Sequence, residues 1–151
     1  MKRHINICIR IEETVGRIYR HMAASEFLTA DVRQTLQTLA EEEEEHAGQL
    51  RFALRFPEDS VVKSLPEMLT QAQQLLDQVQ RILQKIEATE VDDRQALSIG
   101  IELEKKFCQA HIANSFQFTD KSLKEMFAAM AKGDELHCQR LLDLQKSLTH
   151  S

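Results

Sequence analysis

Glu43 and His46 stand where a helix should carry apolar side chains. Apolar residues run Val32, Leu36, Leu39 and then Leu50 and Leu54 in steps of four and three, and the same rhythm continued from Leu39 lands on Glu43, His46 and Leu50. A spacing of three puts a carboxylate and an imidazole on one helix face. Turned inward, such groups need a partner or a metal ion, because a lone ion in an apolar interior is costly. The pattern recurs late in the chain. Leu123, Phe127, Met130, Asp134, His137, Leu141, Leu144 and Leu148 repeat in the same steps, with Asp134 and His137 in place of apolar residues. Two more acids interrupt apolar stripes: Glu12 within Ile5, Cys8, Ile9, Val15, Tyr19 and Met22, and Glu104 within Leu97, Gly100, Ile101, Phe107, Cys108, His111 and Ser115. Together these residues offer four carboxylates and two imidazoles. Hard oxygen donors with a few borderline nitrogens suit two divalent iron ions, and zinc or manganese are the other metals this set accepts. Carboxylates would bridge the pair, and coordination positions would stay open for a small reactant.

Four helices must bring these residues to one depth, and the sequence reads that way. In 151 residues there are 4 Gly, 2 Pro and no Trp, with 28% charged residues, a composition that argues for an all-α chain forming one domain. Helix A is expected over about Ile5–Ser25. Helix B is expected from a capping box of Asp31 and Gln34 to about Phe56, ended by Pro57. The connection between them is short enough to force an antiparallel hairpin of about residues 5–56. Residues 57–64 read as a loop. A connector helix at about 65–88 carries an uninterrupted apolar stripe from Leu65 to Ile86 with no ionisable residue on it. A second hairpin, about 92–148, follows: helix C at about Asp93–Phe118, capped by Asp92 with Gln95, and helix D opened by Thr119 and Asp120.

The two hairpins are one design repeated. Ile9-Arg-Ile11-Glu12 aligns with Ile101-Glu-Leu103-Glu104, and the stretch from Leu39 to Ala47 aligns with that from Met130 to Cys138. Glu12 precedes Glu43 by 31 positions and Glu104 precedes Asp134 by 30, while Tyr19 and His111 each follow their Glu by seven. Tyr19 and His111 are therefore candidates to hydrogen-bond the ligand carboxylates rather than to bind metal themselves.

On these residues the chain resembles the ferritin-like, rubrerythrin-related di-iron carboxylate proteins. The resemblance covers both hairpins, with the connector helix in place of the family's long crossover. It implies a ferritin-like four-helix bundle with one extra helix. It also implies a di-iron centre on Glu12, Glu43, His46, Glu104, Asp134 and His137, with Glu43 and Asp134 at or near the bridge. The function implied is a non-haem di-iron oxidoreductase acting on peroxide or dioxygen. Two other functions stay open: an iron-handling ferroxidase without substrate turnover, and a helical interaction module with a vestigial or zinc site. The sequence departs from the family at Asp134, one methylene shorter than Glu, and at Phe107, where rubrerythrins carry an additional carboxylate. There is no Cys-x-x-Cys pair for a rubredoxin-type iron, so the resemblance implies that electrons come from a separate donor protein.

The remaining features narrow the class. Net charge is -5 with no basic stripe, which argues against nucleic acid as a partner. Apolar runs are too short for a membrane span, and the N-terminal segment lacks a signal peptide's apolar core. Cys8, Cys108 and Cys138 are an odd set in no metal-binding spacing, consistent with a cytoplasmic location. The connector stripe and the apolar residues around Phe52 and Phe56 lead us to expect a homodimer. His4, His21 and His150 are given no role, and the acids of Glu41–Glu45 other than Glu43 are expected in solvent.

Overall fold

A computed structural model describes residues 1–56 and 65–150, and within these the chain is all-helical. Five α-helices follow one another: α1 Lys2–Ala23, α2 Ala30–Ala53, α3 Leu65–Glu87, α4 Asp93–Ser115 and α5 Lys121–Thr149. None is long and apolar enough to cross a membrane. Helix α1 pairs with α2, α4 pairs with α5, and α3 lies along α1. The loop expected at 57–64, and the role of Pro57 in ending the second helix, lie outside the described residues.

The ends of the helices follow from capping chemistry, with one correction. Asp92 and Gln95 form the expected reciprocal box: Gln95 N–H donates to Asp92 Oδ1 at 2.9 Å and Asp92 N–H to Gln95 Oε1 at 3.0 Å. Asp120 caps α5 by accepting from Leu123 N–H at 3.0 Å. The box expected of Asp31 and Gln34 does not form. Thr29 is the N-cap of α2, without a side-chain cap, and Asp31 sits inside the first turn, where its charge complements the helix dipole. Thr29 N–H instead donates across to Asp93 Oδ1 at 2.9 Å, and Ser25 Oγ donates to the Val91 carbonyl at 2.7 Å. The α1–α2 turn is thereby tied to the entry of α4. Arg33 closes the same turn by donating to the carbonyls of Ala23, Ser25 and Leu28. These contacts fix the relative depth of the two hairpins.

Helix α1 is more deeply embedded than its expected stripe. Besides Ile5, Cys8, Ile9, Val15, Tyr19 and Met22, it buries Ile7, Ile11 and Ile18. The reason is tertiary. The apolar face of α3, carrying Ala72, Leu76, Val79, Leu83 and Ile86, joins these isoleucines in one core with residues of α2, α4 and α5. Solvent reaches α1 mainly along a narrow ribbon that includes Arg3, Asn6, Arg10, Glu13, Arg17 and Arg20. A second core at the opposite end packs Met1, Ile5 and Ile9 against Leu50, Phe118, Leu123 and Phe127. Most of the described α3 stripe is thus covered within the chain, with Leu69, Leu75 and Ile82 half-buried. Of the residues that also led to the expected homodimer, Phe52 is exposed and Phe56 half-buried.

Candidate metal centre

All six candidate ligands are buried at one level of the interior. Glu12, Glu43, Glu104, Asp134 and His137 are at most 4% exposed, and His46 is 9% exposed. Glu12 comes from α1, Glu43 and His46 from α2, Glu104 from α4, and Asp134 and His137 from α5. Their donor atoms fall into two groups. Glu43, Glu104, Asp134 and His137 form one; Glu12, Glu43 and His46 form the other; within each group the donor atoms lie within 4.8 Å of one another. Glu43 belongs to both. Its Oε2 is 3.6 Å from His46 Nδ1, and its Oε1 is 3.8 Å from His137 Nδ1. His46 Nδ1 is also 3.7 Å from Glu12 Oε2, and His137 Nδ1 is 3.5 Å from Glu104 Oε2. Atoms that share an ion at about 2 Å stand roughly 3–4 Å apart, so these separations fit ligand edges better than hydrogen bonds.

The unsatisfied atoms make the same point. Buried side-chain atoms without a hydrogen-bond partner include Glu12 Oε2, both oxygens of Glu43, His46 Nδ1, Glu104 Oε2, Asp134 Oδ1 and His137 Nδ1. Each of the six side chains contributes at least one. Buried polar atoms are ordinarily paired, and a cluster of orphans on six convergent side chains calls for an ion.

The outward-facing atoms are held. Tyr19 Oη donates to Glu104 Oε1 at 2.6 Å. His111 sets Nε2 at 2.9 Å from Glu12 Oε1 and Nδ1 at 2.5 Å from Asp134 Oδ2. The repeat is therefore reciprocal: the residue seven after each first-helix Glu grips the Glu of the other hairpin. Asp134 falls in one donor group only, with its second oxygen taken by His111, whereas the family resemblance placed it at or near the bridge. Gly100 makes room for this arrangement. A Cβ there would stand 3.5 Å from Cε1 of Tyr19 and 2.9 Å from Cδ1 of Leu141. Tyr19→Phe is expected to lower metal affinity about 10–100-fold, the usual effect of losing a group that orients a ligand. The same titration of metal into both proteins measures it, and equal affinities would show that the hydroxyl does not position Glu104.

Electrostatics separate the acids. Burial, reinforced by negative charge on Glu12, Glu104 and Asp134, raises the pKa of Glu43 well above the carboxylate range. Burial also raises Glu104 and Asp134, against the opposing influence of His137 and Tyr19 on the first and His111 on the second. Glu12 goes the other way. Burial alone would raise it, but Glu43, His111 and His46 beside it hold it below the usual range. For His111, burial is outweighed by Asp134 and Glu12, and its pKa rises from 6.5 to about 10. Without metal, His111 is thus an imidazolium between two carboxylates.

Two residues near the centre escaped the sequence reading. Glu42 was expected in solvent, yet its carboxylate meets His137 Nε2, the ring nitrogen facing away from the donor group. One acid among five consecutive ones carries no pattern that marks it, although Leu39 plus three falls on the flank of the inner face. His4, given no role, is 1% exposed, and its Nε2 lies 3.7 Å from Cys8 Sγ. Here a signal existed: His4, Cys8 and Glu12 are spaced by four and share a face of α1. The other acids of the run behave as expected: Glu41, Glu44 and Glu45 are exposed, and Glu44 pairs with Arg20.

The chain matches no protein-family model, no curated protein and no solved structure.

Proposed function

We propose that the chain is a di-iron protein of the ferritin-like, rubrerythrin-related kind that reacts with peroxide or dioxygen. The observation that carries this reading is Glu43, whose two oxygens serve two different donor groups, each completed by one histidine. A single ion would not use both groups, and a structural polar network would not leave the inner atoms of all six side chains unpaired. The donor set is oxygen-rich with one nitrogen per group and no thiolate, which favours iron or manganese over a structural zinc site. Bound iron would supply the redox chemistry by passing between ferrous and ferric states.

The protein's own part is positional. Glu43 would be shared by both metal positions. His46 and His137 would each complete one of them, and the Glu42 carboxylate meets the far side of the His137 ring. Tyr19 and His111 keep Glu104 and Glu12 from rotating. Phe107 and Ile11 contribute to the dry surroundings that strengthen every charge interaction inside.

Anaerobic titration with ferrous iron tests the reading, with two ions expected per chain; no tight binding would overturn it. Stopped-flow mixing of the loaded protein with peroxide and with dioxygen then separates a peroxidase, fast with the first, from a ferroxidase, fast with the second.

A further inference from the structure

A chamber of about 60 Å³ lies between α1, α3 and α4. Its lining passes from exposed Gln71 and half-buried Leu75 on α3 to buried Glu12 and His111 at the centre, so it runs from the surface to the edge of the donor cluster. We infer that this chamber is the entry by which a small uncharged molecule of two or three heavy atoms reaches the metal centre. The inference rests on the proposed function and adds where the reactant enters and what size it is.

Three observations carry it. The first is volume. One water needs on the order of 10–15 Å³ measured this way, whereas a site for a drug-sized ligand needs about 300 Å³ or more. The chamber therefore suits a diatomic or peroxide-sized molecule and excludes an organic cofactor or carbon substrate of ordinary size. The second is the lining. No lysine or arginine lines the chamber, and its two innermost polar side chains, Glu12 and His111, face each other at 2.9 Å rather than the open space. His4, also in the lining, is kept neutral by burial, with its pKa lowered to about 4. Nothing there would compensate a charged guest. The third is a polar edge: Nδ1 of His4 is buried without a close hydrogen-bond partner, with Asn114 nearby in the same lining. A neutral ring nitrogen offers a hydrogen bond without imposing a charge requirement.

Helix α3 makes the chamber. Ala72 and Leu75 form part of its wall, and α3 supplies no candidate ligand, so substitutions there alter access without altering the donor set. This gives the connector helix a functional reason beyond covering α1.

Xenon soaked into crystals of the metal-free protein probes the chamber directly. Wild type is expected to hold xenon between α1, α3 and α4, and Ala72→Phe is expected to exclude it. Both proteins should bind two ferrous ions, but oxidation of the loaded protein by dissolved dioxygen should slow about tenfold in Ala72→Phe. Leu75→Ala, which widens the mouth and adds no bulk, should keep xenon binding and oxidise at least as fast as wild type. An empty chamber in wild type overturns the inference. So does unchanged oxidation in an Ala72→Phe variant that folds and loads two ions, or slower oxidation in Leu75→Ala. A wild-type chain that takes up xenon but no iron would instead overturn the reading of the metal centre and leave the chamber as a binding site for small neutral molecules.

Discussion

Glu43→Leu is expected to abolish both metal sites and at the same time stabilise the metal-free protein. The two effects have one cause. Glu43 is fully buried, neither of its oxygens has a hydrogen-bond partner, and burial with neighbouring negative charge raises its pKa well above the carboxylate range. Without metal its burial is poorly compensated, and replacing buried ionisable groups with hydrophobes of similar volume is often neutral or stabilising by about 1–4 kcal/mol. With metal it is the group shared by both positions. Loss of a residue that only orients a ligand costs about 10–100-fold in affinity, so loss of the shared ligand should exceed about 100-fold at each position. His46→Ala and His137→Ala should each remove one ion and leave the other. Ferrous titration and urea unfolding of the chelated proteins give both halves of the result. A Glu43→Leu protein that is destabilised and still binds two ions would mean that Glu43 is a structural residue. Equal loss of the same ion in the two histidine variants would mean that the groups are not separate.

The second large effect belongs to His111. Removal of one partner from a buried ion pair costs roughly 3–5 kcal/mol. His111→Leu leaves Glu12 and Asp134 facing each other without the imidazolium, so the metal-free protein should lose stability on that order. The pH dependence of the wild type follows from the same group. Below pH 6.5 the imidazolium is present in folded and unfolded chains alike, and its contribution to stability is complete. Between 6.5 and about 10 the unfolded chain gives up its proton first, so stability falls as pH rises through this window. Burial also raises Glu43, Glu104 and Asp134, and for such acids stability is lost as pH climbs from the ordinary carboxylate range through the folded-state value, so their part of the decline begins at lower pH than that of His111. Urea unfolding of the chelated protein from pH 6.5 to 10 should therefore show a steady decline on the order of 4 kcal/mol. The slope should be distinctly shallower in His111→Leu. A wild type whose stability is flat or rising over that range would contradict the charge assignment.

How much of this was legible in the chain depends on the range of the interaction. The four-three rhythm that puts Glu43 and His46 among Leu36, Leu39 and Leu50 is a property of one helix, and it was readable. The same holds for Asp134 and His137, and for the Asp92–Gln95 box, which needs only four consecutive residues. What depends on two helices meeting was not readable. Ile7, Ile11 and Ile18 lie off the expected stripe and are buried because α3 lies over them. The Asp31–Gln34 pair has the spacing of a cap, but Thr29 takes the position, and its amide is drawn to Asp93 from a different hairpin. Glu42 differs from Glu41, Glu44 and Glu45 only through its meeting with His137 on α5. Helix ends fell within a few residues of expectation, as fraying ends do.

The repeat would give the centre a twofold symmetry, and α3 destroys it. Helix α3 packs on α1 and, among the described residues, has no counterpart along α4, the mate of α1, where Ile112 on the helix and Phe116 just past its end are bare. The chamber accordingly opens beside Glu12, while Glu104, the mate of Glu12, is sealed behind the phenol of Tyr19. Two hairpins of similar pattern thus become a front and a back. Under the proposed function, an ion held by Glu12, Glu43 and His46 would lie beside the chamber, and one held by Glu43, Glu104, Asp134 and His137 would lie farther from it. A repeated pattern acquires direction in this way: the asymmetry lies in a helix that contributes none of the candidate donor atoms.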